Sequence, residues 1–215
     1  MNNSEALLSE LFSSLNISHE KIKESSANGG KSPDFKVFWG GELSYWEVKG
    51  LDDNDDEKEI IKNIRADANA QMYQVNSERV GKNINKATKQ FKEYGVTNYP
   101  CIVVIFDNRD WSVMDFMLPN YIKTAIAGKA EYRYLKDGTY QESRRLYGKL
   151  SPEKKRFISA VALLSPSGKK ITFYHNPYTN NSLIDSKLMK LFNSHYQAIP
   201  TEQGLTWTEV RPTEF

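Results

Sequence analysis

Residues 33 to 49 read Pro-Asp-Phe-Lys-Val-Phe-Trp-Gly-Gly-Glu-Leu-Ser-Tyr-Trp-Glu-Val-Lys, two apolar, β-prone runs separated by a glycine pair. Gly40-Gly41 is a hairpin-type turn signal, so the two runs are expected to pair as antiparallel strands. Side chains alternate faces along a strand, which puts Tyr45, Glu47 and Lys49 on one side and Ser44, Trp46 and Val48 on the other. Asp34 opens the first run behind a proline, and antiparallel pairing would bring it near Glu47 at the end of the second. Two carboxylates and an ammonium are thereby expected at one place.

Those residue types suit a hard divalent cation. Mg²⁺ takes oxygen ligands in a near-octahedral shell and keeps several waters, so Asp34, Glu47 and the backbone carbonyl of Val48 would serve, with a substrate phosphate completing the shell. Such an ion lowers the pKa of a bound water and offsets charge on a scissile phosphate, while Lys49 would orient that water or stabilise the developing charge. The plainer reading is a surface hairpin with an incidental Glu-x-Lys ion pair. Context favours the site: Pro33-Asp34 at the strand entry, Trp46 and Val48 for burial, and Gly50 where the strand ends.

Pro33-Asp34 followed by Glu47-Val48-Lys49 resembles the pattern of the PD-(D/E)XK nuclease superfamily, the restriction-endonuclease-like fold. The resemblance implies an α/β fold with an αβββαβ core, a mixed central sheet flanked by helices. It implies a Mg²⁺- or Mn²⁺-dependent nuclease that hydrolyses DNA phosphodiester bonds, in restriction, defence or repair. It also implies an acidic residue from the first helix, for which Glu10 is the candidate and Glu5 the runner-up. Ser4 is a cap for a helix over residues 5 to 15, where Ala6, Leu7, Leu11 and Leu15 fall on one stripe.

Residues 77 to 94 give the clearest helix. At about 100° per residue, Val80, Ile84, Ala87, Phe91 and Tyr94 fall within about 80° of arc, an apolar stripe suited to packing on a sheet. Arg79, Lys82, Lys86 and Lys89 gather on the adjoining face, with Gln90 at the border. Lysines there are either a solvated face or, beside a metal site, phosphate contacts. Gln90-Phe-Lys-Glu-Tyr94 is similar to the Gln-x-x-x-Tyr element of the RecB-like branch of the superfamily, which makes Gln90 a further catalytic candidate; Tyr94 on the stripe favours packing. Cys101-Ile-Val-Val-Ile-Phe106 is the uninterrupted apolar run of a central strand covered on both faces.

The 215 residues suit a single domain, with residues 1–110 as the nuclease-like core and 111–215 as an α+β extension that completes or flanks the sheet. One cysteine leaves no intrachain disulfide or zinc cluster, and no apolar run reaches a membrane span or a signal peptide, so a cytoplasmic chain is expected. The formal charge of +2 is close to neutral, but Lys129 to Lys170 holds eleven Lys or Arg against four acids, interleaved with Tyr132, Tyr134, Tyr140 and Tyr147. Such a patch, with Arg144 and Arg145, binds phosphates and stacks bases, or is a solvated surface; both readings stay open.

The acidic run Asp52 to Glu57 reads as a mobile loop. His175-Asn176-Pro177 ends a strand without the partner histidine or spacing of an HNH nuclease. DNA, single- or double-stranded, is the expected partner. Two copies of the chain, or a helicase or other system subunit, are further expected partners. The alternative is a non-catalytic nucleic-acid-binding or assembly module on the same fold.

Overall fold

A computed structural model describes residues 3–23, 31–66, 77–110, 117–146 and 148–212. The glycine pair behaves as its chemistry requires: Gly40 and Gly41 take φ of 61° and 89°, values that a side chain bearing Cβ resists. They join β2 (Phe35–Trp39) to β3 (Glu42–Leu51), antiparallel with Phe35 opposite Trp46 and Trp39 opposite Glu42. A short β1 (Ser18–Lys21) pairs with the outer edge of β2.

Beyond Trp46, β3 continues alongside β4 (Cys101–Asp107), in parallel, from Tyr45 opposite Cys101 to Leu51 opposite Asp107. Every residue of β4 is buried, which explains its unbroken apolar sequence: helices cover both of its faces. From the second half of the chain, β7 (Ile158–Leu164) runs parallel to β4, β8 (Ile171–His175) antiparallel to β7, β9 (His195–Thr201) parallel to β8, and β10 (Gly204–Val210) antiparallel to β9. The result is one mixed eight-stranded sheet in the order β1-β2-β3-β4-β7-β8-β9-β10. A separate hairpin, β5 (Lys129–Tyr134) with β6 (Tyr140–Leu146), lies beside β10.

Helices α1 (Asn3–Ser14), α2 (Asp55–Ala66), α3 (Ser77–Tyr94) and α4 (Leu118–Ala127) flank the sheet. The core on one face joins α1 to Phe35, Val37, Trp46, Val48, Ile102 and Val104. On the other, Val80, Ile84, Ala87 and Phe91 of α3 and Ile122 and Ile126 of α4 pack against Tyr45, Val103 and Ile105. The stripe expected on α3 is therefore buried except for Tyr94, which is 45% exposed because it lies at the last residue of the helix, past the edge of the sheet core.

Helix α1 is rotated from its expected stripe. Leu8, Leu11 and Phe12 are buried, while Leu7 and Leu15 pack only at the margin, and Ser4 is a buried residue inside the helix. Aromatic packing accounts for this: the Phe12 ring meets Trp46 edge-on at 5.0 Å and Phe35 at 6.2 Å. No helix among the described residues is long and apolar enough to cross a membrane.

The acidic run after β3 is not a mobile loop. Asn54 caps α2 by accepting from the Glu57 N–H at 2.8 Å, and Glu57 Oε2 accepts from the Asn54 N–H at 2.6 Å, a reciprocal capping box. Glu57 is fully buried and also accepts from Arg79 at 2.7 Å and 2.8 Å, while fully buried Arg109 lies 3.5 Å from it and grips Asp107 with two bonds of 2.7 Å and 2.6 Å. This network ties the ends of β3 and β4 to α2 and α3. Replacing Glu57 with alanine removes the capping carboxylate and the paired partner of Arg79 and leaves Arg109 with Asp107 alone, so Glu57→Ala is expected to lower the unfolding free energy by about 3–5 kcal/mol in urea titrations.

Candidate functional site

The residues singled out around Asp34 and Glu47 meet where the β2–β3 ladder stops. Phe35 and Trp46 are its last pair, and one step further Asp34 stands opposite Glu47. There the side chain of Asp34 takes over from the backbone: its Oδ2 accepts from the Val48 N–H at 2.8 Å, and its own carbonyl accepts from Ile22 at 2.9 Å. The N–H and C=O of one strand residue leave on the same side, so the Val48 carbonyl is directed toward Asp34 as well.

Strand alternation turns Glu47 and Lys49 toward α3. The Glu47 side chain is 1% exposed and that of Lys49 20%, with Lys49 Nζ donating to Glu47 Oε1. The other carboxylate oxygen, Oε2, is buried without a hydrogen-bond partner, although the Gln90 amide lies close enough to favour the charged form. Gln90 is itself held in place by donating to the Ser32 carbonyl at 3.1 Å, which ties α3 to the segment that carries Asp34.

From the other side of the sheet edge, Lys21 of β1 donates to Glu5 of α1 and lies 3.6 Å from Asp34 Oδ1. The helix acid beside the cluster is Glu5, and the expectation of Glu10 is corrected. With Leu8, Leu11 and Phe12 turned inward, Glu10 lies on roughly the opposite side of the helix, exposed near Ser167 and Lys169. Lys21 had no signal in the sequence, since a lysine in the short, polar run Ser18–Lys21 carries no motif.

The charges are unevenly matched. Burial raises the pKa of Asp34; the Val48 N–H, Lys21 and Lys49 oppose this, and Glu5 adds to it. Burial and then the neighbouring charge of Asp34 push Glu47 up to about 7, against Lys49 and Gln90. A divalent cation would offset the two carboxylates, and the unpartnered Glu47 Oε2, Asp34 and the Val48 carbonyl are the atoms that would hold it. Among the described residues no three His, Cys, Asp or Glu side chains are grouped so as to hold an ion. The protein would therefore supply two carboxylates and a carbonyl and leave the remaining positions to water and substrate, which suits Mg²⁺ or Mn²⁺ better than a closed zinc site.

The expected nucleic-acid contacts divide. Lys82, Lys86 and Lys89 are exposed along α3, with Lys89 3.6 Å from Glu93. Arg144 is exposed on β6 and paired with Glu131. Arg145 is corrected: its guanidinium donates to the Leu205 carbonyl at 2.7 Å and lies 2.7 Å from Glu142, so it fastens the β5–β6 hairpin to β10 and is spent on structure. Tyr147 lies outside the described residues. Tyr94 and Tyr99 are exposed and flank buried Tyr45, with ring centroids 6.1 Å and 5.5 Å from it.

His175 is far along the sheet, in the core, and pairs with a histidine the sequence had not linked to it. His195 Nε2 lies 2.9 Å from the Phe192 carbonyl, an acceptor only, so it carries the proton; His195 Nδ1 then accepts from His175 Nε2–H at 3.1 Å. Both rings are neutral: burial and then His195 push His175 down to about 3, against Asp185, and burial lowers His195 against the Phe192 and Met189 carbonyls. A depressed histidine pKa means that the unfolded chain binds the proton more readily, so this stabilisation is complete above about pH 6.5 and is lost as pH falls toward 3. His175→Phe, which keeps a ring in the stack, is expected to unfold with a shallower pH dependence than wild type between pH 6.5 and 4, by about 1 kcal/mol per pH unit.

No protein-family model, no curated protein and no solved structure matches this chain.

Proposed function

We propose that the chain is a Mg²⁺- or Mn²⁺-dependent nuclease of the PD-(D/E)XK type, hydrolysing DNA phosphodiester bonds at Asp34, Glu47 and Lys49. The observation that carries this reading is the meeting of Pro33-Asp34 with Glu47-Val48-Lys49 at the end of the β2–β3 ladder, with one buried oxygen of Glu47 left unpartnered. The order of elements from α1 to β4 supports it, being the helix, three strands, helix and strand of that superfamily with α2 inserted.

Asp34 and Glu47 would hold the ion, with Val48 contributing its carbonyl. A bound Mg²⁺ supplies an acidified water and charge compensation at the scissile phosphate. The Val48 N–H fixes the Asp34 carboxylate and Lys49 that of Glu47, with Gln90 tying α3 to the Ser32 carbonyl beside them, so both acids are oriented before substrate arrives. Lys49 is partly exposed, and its remaining N–H groups are available to orient the attacking water or to meet charge developing on the phosphate oxygens. Lys21 and Glu5 would set the local charge on the far side of Asp34. The exposed Lys82, Lys86 and Lys89 lie on the helix that carries Gln90, where they would meet phosphates flanking the cut.

Supercoiled plasmid and single-stranded DNA incubated with Mg²⁺ or Mn²⁺ test the reading. Cleavage by the wild type is expected, with Asp34→Asn, Glu47→Gln and Lys49→Ala each slower by about a hundredfold or more while keeping a wild-type circular dichroism spectrum. If the wild type leaves both substrates intact in either metal, the reading fails. Salt-dependent retention of DNA without cutting would favour a binding module instead.

Proton competition gives a second test. Because Glu47 holds its proton up to about pH 7, Mn²⁺ binding measured by calorimetry should tighten up to about tenfold per pH unit between pH 5.5 and 7 and level off above. Glu47→Gln should flatten that dependence.

A further inference from the structure

We propose that Lys92, Lys149, Lys154 and Lys155 form a second, non-catalytic phosphate site on the outer flank of α3, an anchor for the nucleic-acid backbone away from the carboxylate cluster. The proposal rests on the nucleic-acid substrate inferred above.

The four lysines come from two places that the fold presses together. Lys92 is on α3, with its ammonium 6.0 Å from the Phe157 ring. The other three are on the segment between β6 and β7, which is tied down rather than loose. Lys149 N–H donates to the Ala125 carbonyl at 2.8 Å, Leu150 N–H to Ile126 at 3.2 Å, and Ser151 and Lys154 exchange backbone bonds of 3.2 Å and 3.1 Å. Lys155 Nζ donates to Asn85 Oδ1 of α3 and keeps two further protons for another acceptor.

Two features show that the backbone accommodates these lysines at a cost. Lys155 has φ of 61°, a left-handed conformation that glycine or asparagine adopts more easily. Gly81 interrupts α3 with the poorest helix former short of proline, and a Cβ there would lie 2.5 Å from Lys149 Cε, so the stem of Lys149 lies against the bare helix backbone.

The local charge is in positive excess. Among the described residues none of the four lysines is in an ion pair, while Glu153, beside Lys154, accepts from Ser151, and Glu93, beside Lys92, pairs with Lys89. Burial and then Lys149, Lys92 and Lys154 make the Lys155 ammonium easier to deprotonate, the mark of like charges held together. A polyanion relieves that repulsion, and a nucleic-acid backbone supplies phosphates at regular spacing.

Position fits the same ligand. At about 100° per residue, Gly81, Asn85 and Lys92 lie within about 40° of arc, Lys89, Lys82 and Lys86 follow around the helix, and Gln90 is on roughly the opposite side. Across the helix, the anchor and the Glu47 cluster are thus separated by about one helix diameter, ~10–12 Å, on the order of three base steps of ~3.4 Å, with the rise along α3 added for the lysines near Gly81. The exposed lysines of α3 bridge that span.

The test measures binding without cutting. Anisotropy of a short fluorescein-labelled DNA duplex is followed in EDTA over a range of NaCl concentrations, with the full chain. Wild type is expected to bind with strong salt dependence, and a Lys149→Gln, Lys154→Gln double variant to lose about tenfold in affinity and about two in the slope of log K against log salt. Lys155→Gly relieves the backbone and Gly81→Ala strengthens the helix while displacing Lys149. Both should weaken DNA binding severalfold at an unchanged or higher Tm, a combination that a purely structural role does not produce.

Affinity that follows Tm downward, variants that bind as wild type does, or a wild type that does not bind would each overturn the anchor. Plasmid cutting with Mn²⁺, run in parallel, separates the two proposals. Cutting with unaltered binding in the variants removes the anchor alone, whereas lysine-dependent binding without cutting sustains the anchor and removes the nuclease reading.

Discussion

Ten residues of β3 face only five of β2, and the rest of the site follows from that mismatch. Backbone N–H groups in a sheet must find acceptors, and past Trp46 the strand β2 no longer provides them. The Asp34 carboxylate takes the Val48 N–H, which places an acid on the edge of the sheet and stops the ladder next to Glu47. Were β2 to run on through Pro33, its backbone carbonyl would take the Val48 N–H and the edge would be closed.

Burial then gives this edge its chemistry. Glu47 is surrounded by β4 and α3, so its charge is poorly solvated, and neither Lys49 nor Gln90 fully compensates for the loss. Asp34 raises it further. A carboxylate in that condition takes up either a proton or a cation, and the choice depends on pH within the physiological range. The same low-dielectric setting acts in the opposite sense at the other end of the sheet, where burial keeps His175 and His195 neutral and joined by a single shared hydrogen bond. Glu57 and Arg109 resolve their burial by pairing, and the network they form holds the ends of β3 and β4 in register with α2 and α3.

Elements with one dominant periodicity were legible from the sequence. The β2–β3 hairpin, the α3 stripe and the apolar β4 each carry a pattern that a single physical requirement imposes, whether a turn, a half-buried helix or a strand covered twice. The α/β class followed from them. Helix α1 was harder, because its many leucines allow two stripes, and the choice between them lay with the rings of Trp46 and Phe35, which are remote in sequence. That rotation exchanged Glu10 for Glu5. Asn54-x-x-Glu57 was a readable capping signal, hidden within a run of acids that suggested solvent. Arg145 illustrates the reverse, a cation within a basic stretch whose position is fixed by the Leu205 carbonyl sixty residues away.

By itself, the sequence determined which residues share a strand and hence that Glu47 and Lys49 lie on one face with Asp34 near the far end of the hairpin, because alternation and turn geometry are local. Tertiary structure alone decided how deeply Glu47 is buried, that Lys21 and Glu5 join Asp34, that Gln90 braces the cluster, and which lysines gather beside α3. Those outcomes depend on the packing of helices onto the sheet, where contacts between distant segments fix the dielectric and the neighbouring charges that no local pattern encodes.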